Sequence, residues 1–250
     1  MQFIVIIPAR YQSTRFPGKP LAMLAGKPII QHVYENAQTG TEHVWVATDD
    51  ERIAQAVESF GGKYMMTSPG HPSGTDRCAE AAAKIAETTD FDVIINIQGD
   101  EPFVCTPQID ALKSCFADPQ TEIATLVKTI ESDEILFNPN RPKVVFNADN
   151  YALLFSRSTI PHIRGKEPKD WLSAHTFFSH LGMYAYRADV LPKLTKLQAS
   201  SLELAESLEQ LRWLENGYRI KIARTEFESI GIDTPEDLEQ AKWFLQQRMR

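Results

Sequence analysis

The chain has 250 residues, of which 43% are apolar, and a formal net charge of -7. That length and apolar content are typical of one large folded domain, alone or with an insertion, and they exclude a disordered chain. The acidic balance argues against nucleic-acid binding, because proteins that follow phosphate backbones present basic surfaces.

The longest apolar runs have the length of a strand, so we expect no membrane-spanning helix and no membrane partner. The N-terminus lacks a basic segment and Pro8 ends its apolar run, which predicts that there is no signal peptide. The three cysteines, Cys78, Cys105 and Cys115, have no C-x-x-C spacing. This pattern favours free thiols in a reducing cytoplasm over disulfides or a zinc site.

The first half of the chain alternates short apolar runs with helical patterns. The runs predict strands at 3–7, 44–47, 63–66 and 93–97, and the 3.6-residue patterns predict helices at 28–38, 53–60 and 75–87. This alternation predicts an α/β fold with a mostly parallel, doubly wound central sheet. Ligands of such sheets bind at the carboxyl ends of the strands.

After about residue 120 the pattern changes. Strand-like runs at 123–130, 143–146, 151–155 and 181–186 follow one another with little helix between them, and helices are predicted at 201–215 and 235–249. We interpret the strand-rich segment as an inserted mixed or antiparallel section. A single domain spanning 1–250 is favoured over two independent domains.

The loop after the first strand carries an unusual concentration of cations. Arg10, Arg15, Lys19 and Lys27 all precede Glu35, which is the first acidic residue of the chain. The loop fits neither G-x-x-x-x-G-K-[ST] nor G-x-G-x-x-G. Arginine suits bidentate phosphate binding and lysine supplies a movable point charge, so the loop is predicted to hold a triphosphate. The alternative is a solvated basic loop.

Two acidic motifs are candidates for a metal site. Asp100 directly follows the strand at 93–97, and Asp233 comes just before a predicted helix start at Thr234 and Pro235. Mg²⁺ prefers one or two carboxylates together with substrate phosphates. We therefore predict that Asp100 and Asp233 are metal ligands; the alternative is that both are turn residues.

Six segments occur in a fixed order along the chain: IIPAR, YQSTRFPGKPL, HPSGTDR, NIQGDEP, LLFSRSTIP and GIDTPEDLE. Together they resemble the 3-deoxy-manno-octulosonate cytidylyltransferases, or CMP-Kdo synthetases, from Ile6 to Glu239. The resemblance implies a Rossmann-like nucleotidyltransferase fold, a cytoplasmic homodimer and a requirement for Mg²⁺. It also implies transfer of CMP from CTP to the acid sugar Kdo, with release of pyrophosphate, for lipopolysaccharide biosynthesis.

The resemblance also assigns roles to residues. The segment 1–120 would bind CTP through the loops of the first strand and of HPSGTDR, at Pro8, Ala9, Arg10, Arg15, Lys19, Ser73, Gly74, Thr75 and Arg77. The segment 121–215 would serve sugar binding and dimerisation, and Kdo would contact Gln98, Arg157, His180, Tyr184, Glu209 and Gln210. The segment 228–250 would supply the second metal ligand. Arg10, Lys19 and Asp100 would act in catalysis.

Each of these residues also has a structural interpretation. HPSGTDR can be a turn with a helix start, His180 a structural histidine, Tyr184 a packing residue and Glu209 a member of a solvated helix face. Alternative functions are a cytidylyltransferase for sialic acid, a non-catalytic nucleotide sensor and a sugar-phosphate kinase, which would lack a Walker A motif. The sequence leaves open whether the acceptor is Kdo or its 8-amino analogue, and how many Mg²⁺ ions act.

Overall fold

The structure is a computed structural model that describes residues 1–13, 15–228 and 231–248. The chain forms two compact units. The first unit contains Met1–Asp110 together with the C-terminal segment after residue 228, and the second contains Ala111–Glu228. Among the described residues, none of the helices has the length and hydropathy that a membrane crossing requires.

The elements alternate as predicted over the first half of the chain. In order they are β1 (Phe3–Ala9), β2 (Met23–Leu24), β3 (Lys27–Pro28), α1 (Ile29–Gln38), β4 (Val44–Thr48), α2 (Glu51–Ser59), β5 (Tyr64–Met66), α3 (Gly74–Ile85), β6 (Val93–Asn96) and α4 (Thr106–Cys115). A 3-10 turn at Lys19–Leu21 precedes β2.

The later elements include several that the sequence patterns missed. They are β7 (Ile123–Thr129), α5 (Asp133–Phe137), β8 (Lys143–Phe146), β9 (Ala152–Ser156), α6 (Trp171–Ala174), β10 (Phe178–Arg187), α7 (Leu191–Leu194), α8 (Ser201–Glu206), α9 (Gln210–Glu215), β11 (Ile220–Arg224) and α10 (Pro235–Arg248). The prediction for α10 reached residue 249, which lies outside the described residues.

The first unit contains a parallel sheet in the order β6-β1-β4-β5. Ile4 to Ile7 of β1 are fully buried, as are the apolar residues of the neighbouring strand β6. Parallel strands that are covered on both faces have this near-continuous apolar sequence, which confirms the parallel prediction. The carboxyl ends of β1 and β6 therefore lie side by side.

The second unit contains a mixed sheet. β11 pairs in parallel with β7, whereas β7 with β10, β10 with β8, and β8 with β9 are antiparallel. The pairing of β10 with β7 shifts register between Leu181 and Tyr184. Such a bulge re-aims the side chains of the strand. The prediction of a mixed or antiparallel section is confirmed.

The prediction of one helix at 201–215 is wrong. Two helices, α8 and α9, replace it, and they are separated by Ser207, whose φ of 51° lies in the left-handed region. Leu208 and Leu211 are buried as a continuous helix would require, but Leu202 is 43% exposed. The left-handed backbone at Ser207 redirects the chain between α8 and α9. The apolar residues on either side of Ser207 therefore do not form one continuous helix face.

Candidate active site

A cavity of about 710 Å³ lies at the carboxyl ends of β1 and β6 in the first unit. It is lined by residues 8–13, 15, 17, 19, 20, 49, 69, 71–74, 77, 98–100 and 233. Of the residues predicted to bind CTP, all but Thr75 line this cavity. Thr75 is instead buried in the first turn of α3.

The loop that follows β1 is fixed by contacts of Tyr11 and Gly18. Gly18 has a φ of 71°, and its N–H donates to the Tyr11 carbonyl at 2.9 Å. A Cβ at position 18 would lie 3.0 Å from the Tyr11 ring, so glycine is required twice over, by backbone conformation and by space. The Arg52 guanidinium covers the Tyr11 ring, 3.3 Å from its centroid. These contacts fix the backbone at Gly18, directly before Lys19 begins the 3-10 turn.

Lys19 joins the two carboxylates that the sequence predicted to be metal ligands. Its Nζ donates to Asp100 Oδ2 at 2.5 Å and to Asp233 Oδ1 at 3.0 Å. Arg15 reaches the other oxygen of Asp233 at 3.1 Å, and this pair is largely exposed. The Lys19 side chain is only 12% exposed, so its ion pairs are screened less than the Arg15 pair. Arg10 is exposed and lines the same cavity.

The backbone holds Asp100 and Asp233 close together. The Ile232 N–H donates to the Asp100 carbonyl at 2.9 Å. The Asp237 carboxylate accepts from the N–H groups of Asp233 and Thr234, both at 2.9 Å, and the Asp237 N–H donates to Thr234 Oγ1 at 3.2 Å. This reciprocal cap, which confirms Thr234 as the helix start, fixes Asp233 at the entrance of α10.

Gly99 sets the position of Asp100 from the other side. A Cβ at position 99 would lie 2.8 Å from the Pro8 carbonyl oxygen, so the loop after β6 rests directly on the end of β1. Gly74 makes a similar approach, because its Cβ would lie 3.3 Å from the Pro8 ring. The two glycines let three chain segments converge on Pro8, which explains why Pro8 and Ala9 line the cavity.

The donor set at this edge fits Mg²⁺. Two carboxylates face one position, and across the residues that the structure describes no group of three or more His, Cys, Asp or Glu could hold a metal. A site with two carboxylates leaves the remaining positions to phosphate oxygens and water, which is the usual way in which proteins bind Mg²⁺. A structural zinc or calcium site would need more protein ligands.

Residues 71–74 and 77 form a further part of the cavity lining, the 71–77 wall. Ser73 caps α3 by accepting from the Asp76 N–H at 3.2 Å. The buried Arg77 guanidinium pairs with Asp49 at 3.1 Å and donates to Thr67 Oγ1 at 2.6 Å. Arg77 therefore ties α3 to the ends of β4 and β5. The helix-start interpretation of HPSGTDR is correct, and it coexists with a lining role for Ser73, Gly74 and Arg77.

Glu80 supports this wall through His71, and sequence reasoning missed it. Its carboxylate makes a short hydrogen bond to His71 Nε2, accepts from the Ser68 N–H at 3.0 Å and pairs with Lys84 at 2.7 Å. Burial alone would raise the pKa of Glu80, but these three donors outweigh it and lower the pKa to about 2. The position of Glu80 on α3, nine residues after a pocket-lining histidine, was its only sequence signal.

The residues predicted to bind the sugar fall into both units. Gln98 lines the cavity of the first unit, where its Nε2 donates to Asn96 Oδ1 at 3.2 Å. Arg157 lies after β9 in the second unit. Its Nε, Nη1 and Nη2 donate to the carbonyls of Glu206, Pro139 and Ser207, at 2.5, 3.0 and 3.3 Å. Arg157 therefore joins the segment after β9 to the carbonyls of residues 139, 206 and 207, and it is also the candidate for binding the sugar carboxylate.

His180 and Tyr184 lie on β10 on either side of its register shift, with ring centroids 5.3 Å apart, and with the aromatic rings packed on them they form the β10 cluster of the second unit. Glu209 and Gln210 stand at the start of α9, and the charge of Glu209 acts on Tyr184. The Tyr184 hydroxyl and Gln210 Nε2 are buried and make no hydrogen bond with the residues that the structure describes. Buried polar atoms of this kind call for a partner, and a hydroxyl-rich ligand would supply one. Burial and the charge of Glu209 raise the pKa of Tyr184 well above 10.0, so its phenol stays protonated.

His180 is packed between aromatic rings of the same cluster. Its ring centroid lies 5.0 Å from that of Phe155 and 5.3 Å from that of Tyr184, and Nε2 is 3.0 Å from Thr125 Oγ1. Loss of hydration lowers the pKa of His180 to about 3. The imidazole is therefore neutral near pH 7, and it can hydrogen-bond a hydroxyl but cannot pair with a carboxylate as a cation.

A parallel sheet with several cations and a carboxylate pair at one strand edge is the arrangement of Rossmann-like nucleotidyltransferases. Comparison with known families gives the finer assignment. The family model described as Cytidylyltransferase matches residues 4–248, and the chain belongs to this family.

Named relatives agree with this family. The chain is 62% identical to a 3-deoxy-manno-octulosonate cytidylyltransferase from Parabacteroides distasonis, over 99% of this chain and 100% of the relative. A solved CMP:2-keto-3-deoxy-manno-octonic acid synthetase complexed with CTP is 42% identical, with a TM-score of 0.90, 99% coverage of this chain and 100% of that one. A Leptospira borgpetersenii cytidylyltransferase at 17% identity and TM-score 0.62, covering 99% and 87%, shares the fold alone.

Gly99→Ala is expected to destabilise the first unit. The new methyl group would meet the Pro8 carbonyl at 2.8 Å, and neither backbone segment can move without disturbing the buried strands. Overpacking of this kind costs about 1–3 kcal/mol of the free energy of unfolding. Urea denaturation measures the loss. Gly70→Ala is the matched control, because its Cβ would meet only Ser68 Oγ at 3.7 Å. Equal stability of the two variants would contradict the close approach.

His180 is expected to make stability fall in acid. The folded-state pKa of about 3 lies below the ordinary 6.5, so below pH 6.5 the unfolded chain binds a proton that the folded chain does not. The free energy of unfolding should therefore decline on the order of 1 kcal/mol per pH unit from this group.

His180→Gln removes this contribution, and its unfolding free energy should depend less steeply on pH than that of the wild type. Urea unfolding at about pH 7, 6 and 5 gives the slopes. His175→Gln is the control because the side chain at 175 is exposed in the same unit. Parallel slopes for the wild type and His180→Gln would show that His180 does not titrate differently on unfolding.

Proposed function

We propose that this chain transfers CMP from CTP to 3-deoxy-D-manno-octulosonate, giving CMP-Kdo and pyrophosphate for lipopolysaccharide biosynthesis. The observation that carries the proposal is the meeting of Lys19, Asp100 and Asp233 in a nucleotide-sized cavity at the ends of β1 and β6. The names of the relatives indicate Kdo as the sugar and cytosine as the base.

The nucleotide would occupy the cavity of the first unit. Arg10, Arg15 and Lys19 would neutralise its phosphates; that all three line the cavity supports this role. The 71–77 wall would contact the cytosine through Ser73, Gly74 and nearby backbone. Arg77 is already ion-paired with Asp49 and hydrogen-bonded to Thr67, so its role would be to hold that wall in place.

Asp100 and Asp233 would hold Mg²⁺. When bound there, the ion supplies positive charge to the reacting phosphate and helps to orient the attacking hydroxyl. The protein contributes the spacing of the two carboxylates, which the Asp237 cap and the Ile232 hydrogen bond maintain. The number of ions stays open.

In the reaction, the anomeric 2-hydroxyl oxygen of Kdo attacks the α-phosphorus of CTP in line. A new P–O bond forms, the bond to the bridging oxygen of pyrophosphate breaks, and the hydroxyl proton is released. Charge builds on the leaving pyrophosphate, and Lys19 and Arg10 stabilise it. Catalysis by this chain is then positioning and charge stabilisation, and no side chain is assigned as general base.

In the second unit, Kdo would be recognised by the β10 cluster; the sugar role of Gln98, in the first unit, stays a prediction. The unpaired Tyr184 hydroxyl and Gln210 amide support this assignment, since both need a polar partner beyond the residues that the structure describes. His180, being neutral near pH 7, would serve a hydroxyl. Arg157, with several of its N–H groups engaged by backbone carbonyls, would present the remaining ones to the sugar carboxylate.

A cytoplasmic homodimer is the expected working form. The cysteines are free thiols, which persist in a reducing compartment. Leu153 and Leu154 on β9 are 62% and 36% exposed, and exposed leucines on a strand favour an interface. Sedimentation equilibrium decides the oligomeric state, and a monomer at all concentrations would remove the dimer from the proposal.

Pyrophosphate release tests the reaction directly. The protein is supplied with CTP and Mg²⁺ and is offered Kdo, 8-amino-Kdo or sialic acid in parallel. Release with Kdo, abolished by EDTA, is the expected result. Release only with 8-amino-Kdo or sialic acid would show that this sugar, and not Kdo, is the acceptor. CTP binding without release in any arm would leave a nucleotide sensor and remove the catalytic proposal.

Lys19→Ala and Asp100→Asn are expected to reduce kcat/KM at least tenfold, about 1.4 kcal/mol in transition-state stabilisation. The first removes the cation nearest the carboxylate pair, and the second removes a charged metal ligand. Lys27→Ala is the matched control, because Lys27 pairs with Glu35 and does not line the cavity. Near-normal kinetics for both site variants, with unchanged circular dichroism, would contradict the assignments.

A further inference from the structure

Lys19 occupies the position that a divalent cation would need. Its ammonium nitrogen bridges Asp100 Oδ2 and Asp233 Oδ1 at 2.5 and 3.0 Å. A Mg²⁺ ion approaches carboxylate oxygens to about 2.0–2.1 Å, so it competes for the same lone pairs. Two cations a few Å apart also repel each other strongly where solvent is partly excluded. The bridging ammonium and a bridging metal ion therefore exclude one another.

We propose that Lys19 is a built-in competitor for the metal ion. Its ammonium holds Asp100 and Asp233 against a metal ion, and it releases them when the phosphates of a nucleoside triphosphate draw it away. This inference rests on the proposed function, which supplies the nucleotide and the cation. Its consequence is an order of binding: the metal ion binds the carboxylate pair weakly until the triphosphate has entered.

The local structure allows the Lys19 side chain to move without the backbone. Gly18 and the 3-10 turn hold the main chain through the Tyr11 contacts. The four-carbon stem of lysine is flexible and its ammonium can exchange one set of oxygens for another. Phosphate oxygens are as good acceptors for an ammonium as carboxylates are. The exchange therefore costs Lys19 little and frees both acids.

Arg15 does not carry out the same role. It contacts Asp233 Oδ2, the oxygen that Lys19 leaves free, and its side chain is 65% exposed. An exposed ion pair is weak and is screened by salt. Of the two cations, only Lys19 touches both carboxylates, so the competition is assigned to Lys19.

The proposal also links the two ligands thermodynamically. If the triphosphate raises metal affinity by removing Lys19, then the metal ion raises triphosphate affinity by the same factor. Some of this coupling comes from direct contact between metal and phosphate. The share that comes from Lys19 is separable, because it disappears when residue 19 carries no charge.

The experiment measures Mn²⁺ binding to nucleotide-free protein by electron paramagnetic resonance of the free ion. Lys19→Met keeps the aliphatic stem and removes the charge, and we expect it to bind Mn²⁺ at least tenfold more tightly than the wild type, or about 1.4 kcal/mol. The gain should vanish in Lys19→Met combined with Asp100→Asn. Lys27→Met, which removes a charge outside the cavity, should bind Mn²⁺ as the wild type does.

Equal Mn²⁺ affinity of the wild type and Lys19→Met would overturn the proposal, as would an equal gain in Lys27→Met. Circular dichroism checks the fold, and Lys19→Gln takes the place of Lys19→Met if the latter does not fold. The pyrophosphate assay on wild-type protein is read separately. Failure of that assay with a Mn²⁺ gain in Lys19→Met would remove the reaction and leave the competition in place.

Discussion

Lys19 bridges Asp100 and Asp233, and the arrangement of the first unit around the cavity depends on this contact. The two acids are 81 and 214 residues away in sequence, so three distant chain segments must meet within hydrogen-bond distance. Without a counter-charge, two carboxylates facing one point would repel each other. The lysine supplies that counter-charge and so stabilises the close approach of the two acids.

Backbone contacts fix the positions of Lys19, Asp100 and Asp233. Gly99 and Gly74 let their segments rest on Pro8, and the Asp237 cap fixes the backbone of Asp233. The Lys19 side chain, on a flexible stem, can change partners while this frame stays in place. A rigid frame with one mobile cation suits a reaction in which highly charged phosphates enter and pyrophosphate leaves, because charge can be rebalanced without moving the fold.

The second unit follows a different principle. The cluster near the β10 bulge is aromatic and buried, and it leaves the Tyr184 hydroxyl and the Gln210 amide without partners among the described residues. A protein core seldom leaves such atoms unpaired, which is the physical ground on which a polar ligand is proposed here. Burial also keeps His180 neutral and Tyr184 protonated, which suits recognition of uncharged hydroxyls.

The sequence by itself determined the parallel strands of the first unit, the cationic loop after β1 and the acids at Asp100 and Asp233, because burial, periodicity and helix capping are local signals. It missed β11, although IKIAR alternates apolar and polar residues. It also joined α8 to α9, because a serine such as Ser207 gives no sequence signal of a left-handed φ, unlike glycine or asparagine. Only the tertiary structure decided that Lys19 touches both acids and that Glu80 supports His71. Such contacts join side chains far apart in sequence or on separate elements, and chain packing alone sets their distances.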